Sequence, residues 1–201
     1  MYDSSVYDII SEDFSRTRYK MWPSVVKFLD NLRHKYILDV GCGNGKNQTI
    51  HSIDILFESC DLSKLCQITQ KRFNNVSIAN MTHLPYRSNS FDACICIASF
   101  HHLDTIESRH MCLREIKRIL TESGQCIITV WVPDKYKESE SMIPWTLKKD
   151  GAIEIVYRYY HIFTKDELFN LISTYFVIMK IEYQKENWNV TCTNDLSKKY
   201  V

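Results

Sequence analysis

A run of alternating glycines follows an apolar stretch in the first quarter of the chain. Residues 37–40 read as a buried strand, and Gly41, Gly43 and Gly45 follow at two-residue spacing. Glycine adopts positive φ angles without strain and has no Cβ to keep a ligand away from the backbone. A helix that starts after such a turn presents free N–H groups to a charged ligand. The turn therefore predicts a site for a small nucleotide-like molecule.

Asp39 distinguishes between two kinds of nucleotide-like cofactor. The spacing is G-x-G-x-G, and Lys46 stands where a dinucleotide-binding turn has its third glycine. A carboxylate at the end of the strand would repel a pyrophosphate, whereas it attracts an ammonium group. The pattern favours S-adenosylmethionine, which carries such a group, over a dinucleotide. An ordinary turn without a ligand is the alternative.

The ends of the next two predicted strands supply further cofactor contacts. Asp61 lies about 20 residues after Asp39, where a carboxylate accepts hydrogen bonds from ribose hydroxyls in an open α/β sheet. Asp61 is also placed to cap the following helix, and the two roles are compatible. Asn80 and Met81 follow the third strand, where an adenine ring is expected, and the amide oxygen of Asn80 accepts a hydrogen bond without charge.

Strand and helix patterns alternate along most of the chain. Apolar runs predict strands at 36–40, 53–60, 76–79, 93–98 and 125–131, with helical patterns between them. Two β-rich runs, at 176–183 and 188–192, are expected to pair as an antiparallel C-terminal edge. The alternation predicts an α/β fold whose mostly parallel sheet has helices on both faces.

Length and composition describe a single globular domain over 1–201, with its core from 14 to 192. Of the 201 residues, 45% are hydrophobic and 24% are charged. The segment 133–151 is rich in Lys, Glu and Ser and is predicted to be an exposed loop, in which 143–145 are able to dock. No apolar run approaches the roughly 20 residues that cross a bilayer, so we expect no membrane association.

Charge and cysteine content restrict the possible functions less than the glycine turn and the strand pattern do. Eight cysteines without a C-x-x-C pair predict neither disulfides nor a metal site. The net charge of +1 leaves nucleic-acid binding open, because such binding depends on local basic patches. Arg16, Arg18 and Lys20 form one such patch.

Short motifs along the chain occur in the order typical of one family. They are the segment 14–23, the run 39–46, Leu84-Pro85, Phe91-Asp92, Ile97-Ala98 with His101-His102, Pro144-Trp145, the segment 157–161, and Asn187-Trp188. In these motifs the chain resembles the eukaryotic tRNA wobble-uridine carboxymethyl methyltransferases, from about Phe14 to Cys192. It departs from them in Asn80-Met81, where Asp-Gly is usual, in Asn189, where a second Trp is common, and in a shorter loop before Tyr157.

The resemblance implies a Rossmann-like class I methyltransferase with a seven-stranded sheet. The implied reaction transfers a methyl group from S-adenosylmethionine to the carboxylate of 5-carboxymethyluridine at the wobble position of the tRNA anticodon. A small zinc-containing activator subunit that forms a heterodimer with the chain is also implied. Because the sequence shows no targeting or membrane-spanning segment, we expect a cytoplasmic location, and a nuclear pool is left open. Ile97 joins the expected cofactor-binding residues.

The same resemblance directs attention to residues on the substrate side. Arg18 is the first choice and Arg158 the second for orienting the carboxylate by a bidentate contact, with a phosphate contact or a solvated cation as the alternative for each. His101 is expected to position the substrate, whereas His102 is expected to pack or to form hydrogen bonds. One or two of four aromatic residues are expected to stack on the base. The predicted substrate residues are Tyr19, Lys20, Trp131, Arg158, Tyr160, His161, Asn187 and Trp188.

Two other functions remain open at this point. A methyltransferase for a small carboxylic acid would keep the cofactor motifs but would not need the basic patch at 16–20. A non-catalytic scaffold on the same fold would not need Asp39, the glycines or Asp61, all of which are present.

The third strand is expected to lie at a sheet edge and to accept a partner strand. It is short and uncharged, and apolar residues lie next to it in the second strand and in the helix that follows the second strand. These residues are Ile53, Ile55, Leu56, Phe57, Leu65 and Ile68. The alternative is that the helix predicted at 64–73 already covers this surface.

Overall fold

Alternating strands and helices build the frame of the molecule. The computed structural model describes residues 5–18, 20–32, 35–49, 55–149 and 152–200. Tyr19 and Ile53 therefore lie outside the described residues. The strands are β1 (Lys35–Val40), β2 (Ile55–Asp61), β3 (Val76–Ile78), β4 (Phe91–Ile97), β5 (Leu120–Trp131), β6 (Glu140–Lys149), β7 (Ala152–His161), β8 (Val177–Gln184) and β9 (Asn187–Thr193). The helices are α1 (Ser5–Thr17), α2 (Pro23–Asp30), α3 (Leu65–Gln70), α4 (Ile106–Ile119) and α5 (Lys165–Ser173).

Seven strands form one sheet in the order β3-β2-β1-β4-β5-β9-β8. The first five of these strands pair in parallel, and β9 joins β5 and β8 in antiparallel fashion. The predicted fold class, the antiparallel C-terminal edge and the position of the third strand at the opposite edge are confirmed. Parallel strands bring their carboxyl ends to one side of the sheet, so the glycine turn after β1 lies near the end of β2.

Both faces of the central strands are buried, as a parallel sheet requires. On one face, Leu38 and Val40 belong to the large core cluster that includes residues of α4 and α5. On the other face, Ile37 and Ile95 pack in a second cluster with Val25 and Leu29 of α2. Alternate residues of one strand thus pack into two apolar layers, and for this reason the sequence of a central strand is apolar along its whole length.

A two-stranded hairpin occupies much of the segment that was expected to be a loop. β6 pairs with β7 along its whole length, so the prediction of an exposed loop over 133–151 is wrong for 140–149. The composition is polar, but the alternate residues Ile143, Trp145 and Leu147 face inward. Burial of every second side chain is enough to form a strand, whatever the average polarity.

The helix α1 packs between this hairpin and α3. Tyr7 and Ile10 are buried there with Leu65, and Phe14 and Trp145 are partly buried against them. The hairpin is not part of the main sheet, so the contacts with α1 help to hold it in place. Three separate stretches of the chain therefore meet at one place.

The glycine turn is held against α3. Gly45 has a φ of +73°, and a Cβ built on it would lie 2.5 Å from Cγ2 of Thr69. The Thr69 hydroxyl donates to the carbonyl of Gly43 at 2.7 Å. The third glycine is thus required for packing of the turn on the helix, and its place there does not depend on a ligand.

We predict that Gly45→Ala lowers the free energy of unfolding by about 3 kcal/mol, through a left-handed backbone and a steric clash together. Gly43→Ala is the matched control. Gly43 also has a positive φ, but beyond its chain neighbours no atom of the described residues lies within 4 Å of the methyl carbon that alanine would add. The control is expected to lose only about 1 kcal/mol. Urea denaturation measures both values, and equal losses would show that the contact with Thr69 is unimportant.

Candidate active site

A cavity of about 720 Å³ lies at the carboxyl ends of the parallel strands. Its wall on one side consists of the glycine turn and the residues that follow β2, β3 and β4. The other side is formed by the end of α1, the hairpin and the start of β9. Predicted site residues that line it are Arg18, Lys20, Gly41, Gly43, Asp61, Asn80, Met81, Ile97, His101, Trp131, Arg158, Tyr160 and Asn187.

Asp61 is fixed by the backbone on both of its oxygens. One oxygen accepts from the N–H of Gly43 at 2.8 Å, and the other accepts from the N–H and the hydroxyl of Ser63 at 2.8 and 2.7 Å. Burial raises the pKa of Asp61, and the hydrogen bonds from Ser63 and Gly43 counteract this rise. The carboxylate forms a turn to Ser63, and it does not cap α3, whose capping residue is Lys64. Its remaining lone pairs are available to hydroxyl donors in the cavity.

Asp39 reaches the cavity only through another side chain. It is fully buried and does not line the cavity, and one of its oxygens accepts from the amide of Asn47 at 3.2 Å. The other Asp39 oxygen and the Asn47 oxygen are buried without a hydrogen-bond partner among the described residues. Since Asn47 does line the cavity, it is the group able to meet a donor such as an ammonium group directly. The predicted direct role of Asp39 is thereby corrected to a role behind Asn47.

Two of the three glycines face the cavity. Gly41 has a φ of +70°, and a Cβ there would lie 2.5 Å from Cβ of Ser99, the residue that closes the turn after β4. Gly43 has a φ of +57° and open space where its Cβ would stand. This open cradle fits a ligand that approaches the backbone. Gly45 does not line the cavity, so its predicted role in ligand contact is replaced by packing on α3.

The residues expected beside an adenine are present, but Asn80 offers a different group. Its amide oxygen already accepts from the N–H and the hydroxyl of Thr82 at 3.0 and 2.9 Å. The amino half of the amide is therefore left for a ligand, rather than the oxygen that the sequence suggested. Met81 and Ile97 provide apolar walls beside it.

The opposite side of the cavity contains a buried cation. Arg158 is 5% exposed, and its Nη1 donates to the Tyr160 hydroxyl at 2.8 Å. Within the described chain its Nε has no hydrogen-bond partner, and no carboxylate forms an ion pair with it. Buried charges are normally paired, because burial of an isolated charge is unfavourable. An anionic ligand would supply the missing partner.

His101 adds a second unpaired donor. The N–H of Trp131 donates to its Nδ1 at 3.1 Å, so the neutral ring carries its proton on Nε2. That Nε2 is buried without a partner in the described chain. Burial, with the nearby His102 and Arg158, lowers the pKa of His101 well below its usual range. His101 is thus a neutral N–H donor at physiological pH, and its ring stacks on Tyr160 at 4.5 Å.

A chain of hydrogen bonds ties α1 to this side of the cavity. His102 donates from Nδ1 to the carbonyl of Tyr159 at 2.8 Å and accepts at Nε2 from the Tyr7 hydroxyl at 2.7 Å. Burial lowers the pKa of His102 to about 3, so it stays neutral. The Tyr7 hydroxyl also lies 3.5 Å from that of Tyr160. His102 therefore has the expected packing and hydrogen-bonding role.

Arg18 and two lysines lie nearer the mouth of the cavity. The Arg18 guanidinium is half-buried over the rings of Phe14 and Trp145, at 5.1 and 5.7 Å. Lys20 is exposed, and Lys46 lies over the ring of Trp22 at 5.0 Å. Burial and the neighbouring Arg18 lower the pKa of Lys46. The mouth is positively charged, and Arg158 is more deeply buried than any of these three groups.

Two predicted aromatic contacts lie outside the cavity. Nε2 of His161 lies 2.6 Å from the carboxylate of Glu167, which turns the ring toward α5. The ring of Trp188 packs against Tyr183 at 5.0 Å and against the core. Neither is placed to stack on a base. Trp131 and Tyr160 do line the cavity, as does Asn187, whose Oδ1 is buried without a partner in the described chain.

Several residues that form the site were not predicted from the sequence. Tyr7, Phe14, Asn47, Ser99 and Trp145 all contact the cavity or its arginines. The helical spacing of Val6, Ile10 and Phe14 was a signal for a buried face on α1. No sequence signal identifies Asn47 as the bridge to Asp39, because that contact depends on the path of the turn.

Comparisons with known proteins agree with this geometry. A family model described as a methyltransferase domain matches residues 38–128. A tRNA (carboxymethyluridine(34)-5-O)-methyltransferase of Schizosaccharomyces pombe is 33% identical over an alignment of 214 positions, gaps included, which covers 93% of this chain and 93% of that protein. The Arabidopsis thaliana protein of the same name is 37% identical over 147 residues, which are 72% of this chain but only 36% of that protein.

Solved structures share the fold at low sequence identity. An S-adenosylmethionine-bound amino pentose methyltransferase from Micromonospora echinaspora is 16% identical, with a TM-score of 0.69 over 92% of this chain and 96% of that chain. Within the described part of our chain, no helix is long and apolar enough to span a membrane. The described residues also contain no group of three or more His, Cys, Asp or Glu arranged to hold a metal ion.

We predict that Asp61→Ala weakens S-adenosylmethionine binding by about 1 to 3 kcal/mol, because the ribose hydroxyls lose a charged acceptor. Isothermal titration calorimetry measures the affinity, and circular dichroism confirms that the variant is folded. Asp8→Ala is the control, since Asp8 accepts from the N–H of Lys64 next to the same turn but does not line the cavity. Unchanged affinity in folded Asp61→Ala would remove Asp61 from the cofactor site.

The pKa of Asp39 predicts how the ligand-free chain responds to pH. Burial raises the pKa of Asp39 to about 7, whereas an aspartate in an unfolded chain titrates near 4. Between about pH 4 and 7 the folded state holds a proton that the unfolded state has released, so the free energy of unfolding falls as pH rises through this window. Asp39→Asn is expected to reduce this fall by about 2 kcal/mol, measured by urea denaturation at pH 5 and pH 8. If the free energy of unfolding fell by the same amount in Asp39→Asn, Asp39 would not be the group that causes this pH dependence.

Proposed function

The chain belongs to the family of tRNA (carboxymethyluridine(34)-5-O)-methyltransferases, and we propose that it methylates the carboxylate of 5-carboxymethyluridine at the wobble position of a tRNA anticodon. S-adenosylmethionine is the methyl donor. The observation that carries the proposal is the pair of unpaired buried donors, Nε of Arg158 and Nε2 of His101, on one side of the cavity. A carboxylate has the charge and the two acceptor oxygens that such a pair requires.

Arg158 is favoured over Arg18 as the group that receives the carboxylate. A charge-assisted hydrogen bond is strongest where water is excluded, and Arg158 is buried whereas Arg18 is half-buried near the mouth. Arg18 already has a place over Phe14 and Trp145. Its position suits a second contact to the carboxylate or a contact to the neighbouring phosphate.

The reaction needs no strong base from the protein. A carboxylic acid with a pKa near 4 is already ionised at neutral pH, so its oxygen is nucleophilic without loss of a proton. His101 acts accordingly as a donor that fixes the carboxylate, since burial keeps its ring neutral and its Nδ1 is occupied by Trp131. Alignment of the nucleophile and exclusion of water are the main contributions of the site.

The cofactor side of the cavity fits S-adenosylmethionine. When bound, this cofactor supplies an electrophilic methyl group on a sulfonium sulfur. Asp61 would accept from the ribose hydroxyls, Asn47 would accept from the ammonium group, and Gly43 leaves room for the ligand against the backbone. Met81 and Ile97 would lie against the adenine, and the amino group of Asn80 would donate to it.

The positive mouth supports a tRNA substrate over a small acid. Arg18, Lys20, Lys46 and Lys185 line the cavity together with Arg158, whereas Asp61 is the only acid among the described residues that line it. These cationic side chains are more than one carboxylate needs. The additional positive charge suits the phosphates on either side of a flipped-out nucleotide. Trp131 and Tyr160 supply aromatic faces for the base.

Mass spectrometry of digested tRNA tests the proposal directly. The chain, alone and together with the activator subunit proposed below, is incubated with S-adenosylmethionine and tRNA that carries 5-carboxymethyluridine. The wobble nucleoside is expected to gain one methyl group. The free nucleoside, supplied at the same concentration, is expected to react far more slowly because it lacks the phosphates. Equal rates would favour a small carboxylic acid as the substrate, and no reaction with either substrate would contradict methyl transfer to this carboxylate.

We predict that Arg158→Lys lowers kcat/KM for tRNA by about 100-fold, because a lysine does not reproduce the geometry of the guanidinium at a buried carboxylate. The affinity for S-adenosylmethionine is expected to stay within about twofold, since Arg158 lies on the substrate side. Lys185→Arg serves as a control that keeps a cation at the mouth. A parallel loss of S-adenosylmethionine affinity would contradict the assignment of Arg158 to the substrate side of the cavity.

The exposed edge of β3 supports the proposal of a small activator subunit. β3 is the outermost strand beside β2, and Ile78 and Leu56 are 61% and 66% exposed. Leu65 is buried and Ile68 packs against the α1 cluster, so these two residues do not belong to the exposed surface. A strand added by the partner would pair with the free edge of β3 beside Ile78. The zinc of that partner and the cytoplasmic location of the chain stay predictions.

We predict that Ile78→Pro abolishes binding of the activator while the chain stays folded. The N–H of Ala79 donates inward to the carbonyl of Asp61, so by alternation the N–H of Ile78 points away from β2. Proline removes this outward donor without breaking an internal bond of the sheet. Co-expression and pull-down compare the variant with Ile78→Val, which keeps the N–H. Retained binding by the proline variant, or a fully active chain that ignores the activator, would contradict the edge assignment.

A further inference from the structure

Trp145 contacts both arginines of the cavity. The Arg158 guanidinium carbon lies 4.8 Å from the centroid of its ring, and that of Arg18 lies 5.7 Å away. Both distances fall within the roughly 6 Å over which a cation is attracted to an aromatic face. The three residues come from β6, β7 and the segment after α1, so one indole joins three separate parts of the chain.

The position of the indole is itself fixed. Its Nε1 donates to the carboxylate of Asp13 on α1 at 3.0 Å, and its ring packs against Phe14 at 5.6 Å. In the hairpin, Trp145 pairs with Val156 and is therefore the diagonal neighbour of Arg158 on the same face. These contacts hold the ring in one orientation beside the buried guanidinium.

The indole also offsets part of the repulsion between the two guanidinium groups. Arg18 and Arg158 carry like charges, they share one aromatic neighbour, and no carboxylate of the described residues pairs with Arg158. The negative face of an aromatic ring attracts a cation in a site where water is scarce. It thereby keeps the guanidinium groups in place without neutralising them, as a carboxylate would. Both groups stay able to receive an anion.

We propose that Trp145 is a positioning residue, which holds the guanidinium groups of Arg158 and Arg18 against its indole and so directs them toward the substrate carboxylate. This role rests on the proposed methyl transfer to a carboxylate, and it adds to that transfer the residue that orients its cations. Trp145 does not line the cavity and acts through the arginines alone.

Two substitutions separate the aromatic face from simple packing. Trp145→Leu keeps an apolar side chain without a ring and is expected to lower kcat/KM for tRNA by about 10- to 100-fold, the effect of losing one or two cation–π contacts. Trp145→Phe keeps a ring and is expected to retain most of the activity. The affinity for S-adenosylmethionine is expected to be unchanged in both. Tyr157→Leu, on the exposed outer face of the same hairpin, is the matched control and should behave as the wild type.

The rates of the two Trp145 variants decide whether the aromatic ring has this role. Wild-type rates in Trp145→Leu, or equal losses in the Phe and Leu variants, would overturn the role of the ring. If the leucine variant fails to fold, site-specific incorporation of increasingly fluorinated tryptophan at position 145 takes its place, because fluorine weakens the ring quadrupole with little change of shape. Activity should then fall stepwise with fluorination, and a flat series would overturn the proposal.

A spectroscopic measurement tests the geometry without any activity. In ¹⁵N-arginine-labelled chain, the Nε–H resonances of Arg158 and Arg18 are expected to be displaced by the ring current of Trp145. They are expected to return toward ordinary positions in Trp145→Leu, whereas Trp145→Phe, which keeps a ring, is expected to retain part of the displacement. Undisplaced resonances in the wild type would overturn the proposal. An inactive wild type with displaced resonances would instead contradict methyl transfer while leaving the positioning of the arginines established.

Discussion

A guanidinium group buried beside a cavity without an acidic partner in the described chain is the constraint around which the site is organised. Arg158 is bound by the Tyr160 hydroxyl and by the aromatic faces of Trp145 and Tyr160, and none of these neutralises its charge. Such an arrangement is unfavourable in the empty protein and becomes favourable when an anion arrives. The hairpin, α1 and the segment after β4 all contribute side chains that hold the group in place. The positive charge is thus kept available for substrate.

The two sides of the cavity have different structural origins. The cofactor side is built from strand ends and one glycine turn, which the parallel sheet brings together by its topology. The substrate side is built from α1 and the hairpin β6–β7, neither of which belongs to the main sheet. Hydrogen bonds through Tyr7 and His102 join these two additions. The division explains how a common methyltransferase sheet can receive a particular carboxylate.

Sequence patterns predicted many of the residues that line both sides of the cavity, but they predicted neither the hairpin nor the contacts that arrange those residues. The alternation of strands and helices, the glycine turn and Asp61 follow from local signals such as apolar runs and residues at strand ends. The hairpin was hidden because its lysines and glutamates dominate the composition, although Ile143, Trp145 and Leu147 alternate within it. The greater burial of Arg158 relative to Arg18 depends on contacts between segments that are distant in sequence. Local sequence patterns do not predict such contacts. The same holds for Asn47, whose contact with Asp39 is set by the path of the turn.

In the proposed reaction, Arg158 and His101 together receive the carboxylate of the wobble nucleoside. This arrangement would be visible in a crystal structure of the chain with S-adenosylhomocysteine and an anticodon-loop RNA that carries 5-carboxymethyluridine. We expect the carboxylate oxygens to lie within hydrogen-bond distance of Nε of Arg158 and Nε2 of His101. A carboxylate bound elsewhere, with both of these nitrogens still lacking a partner, would contradict the account.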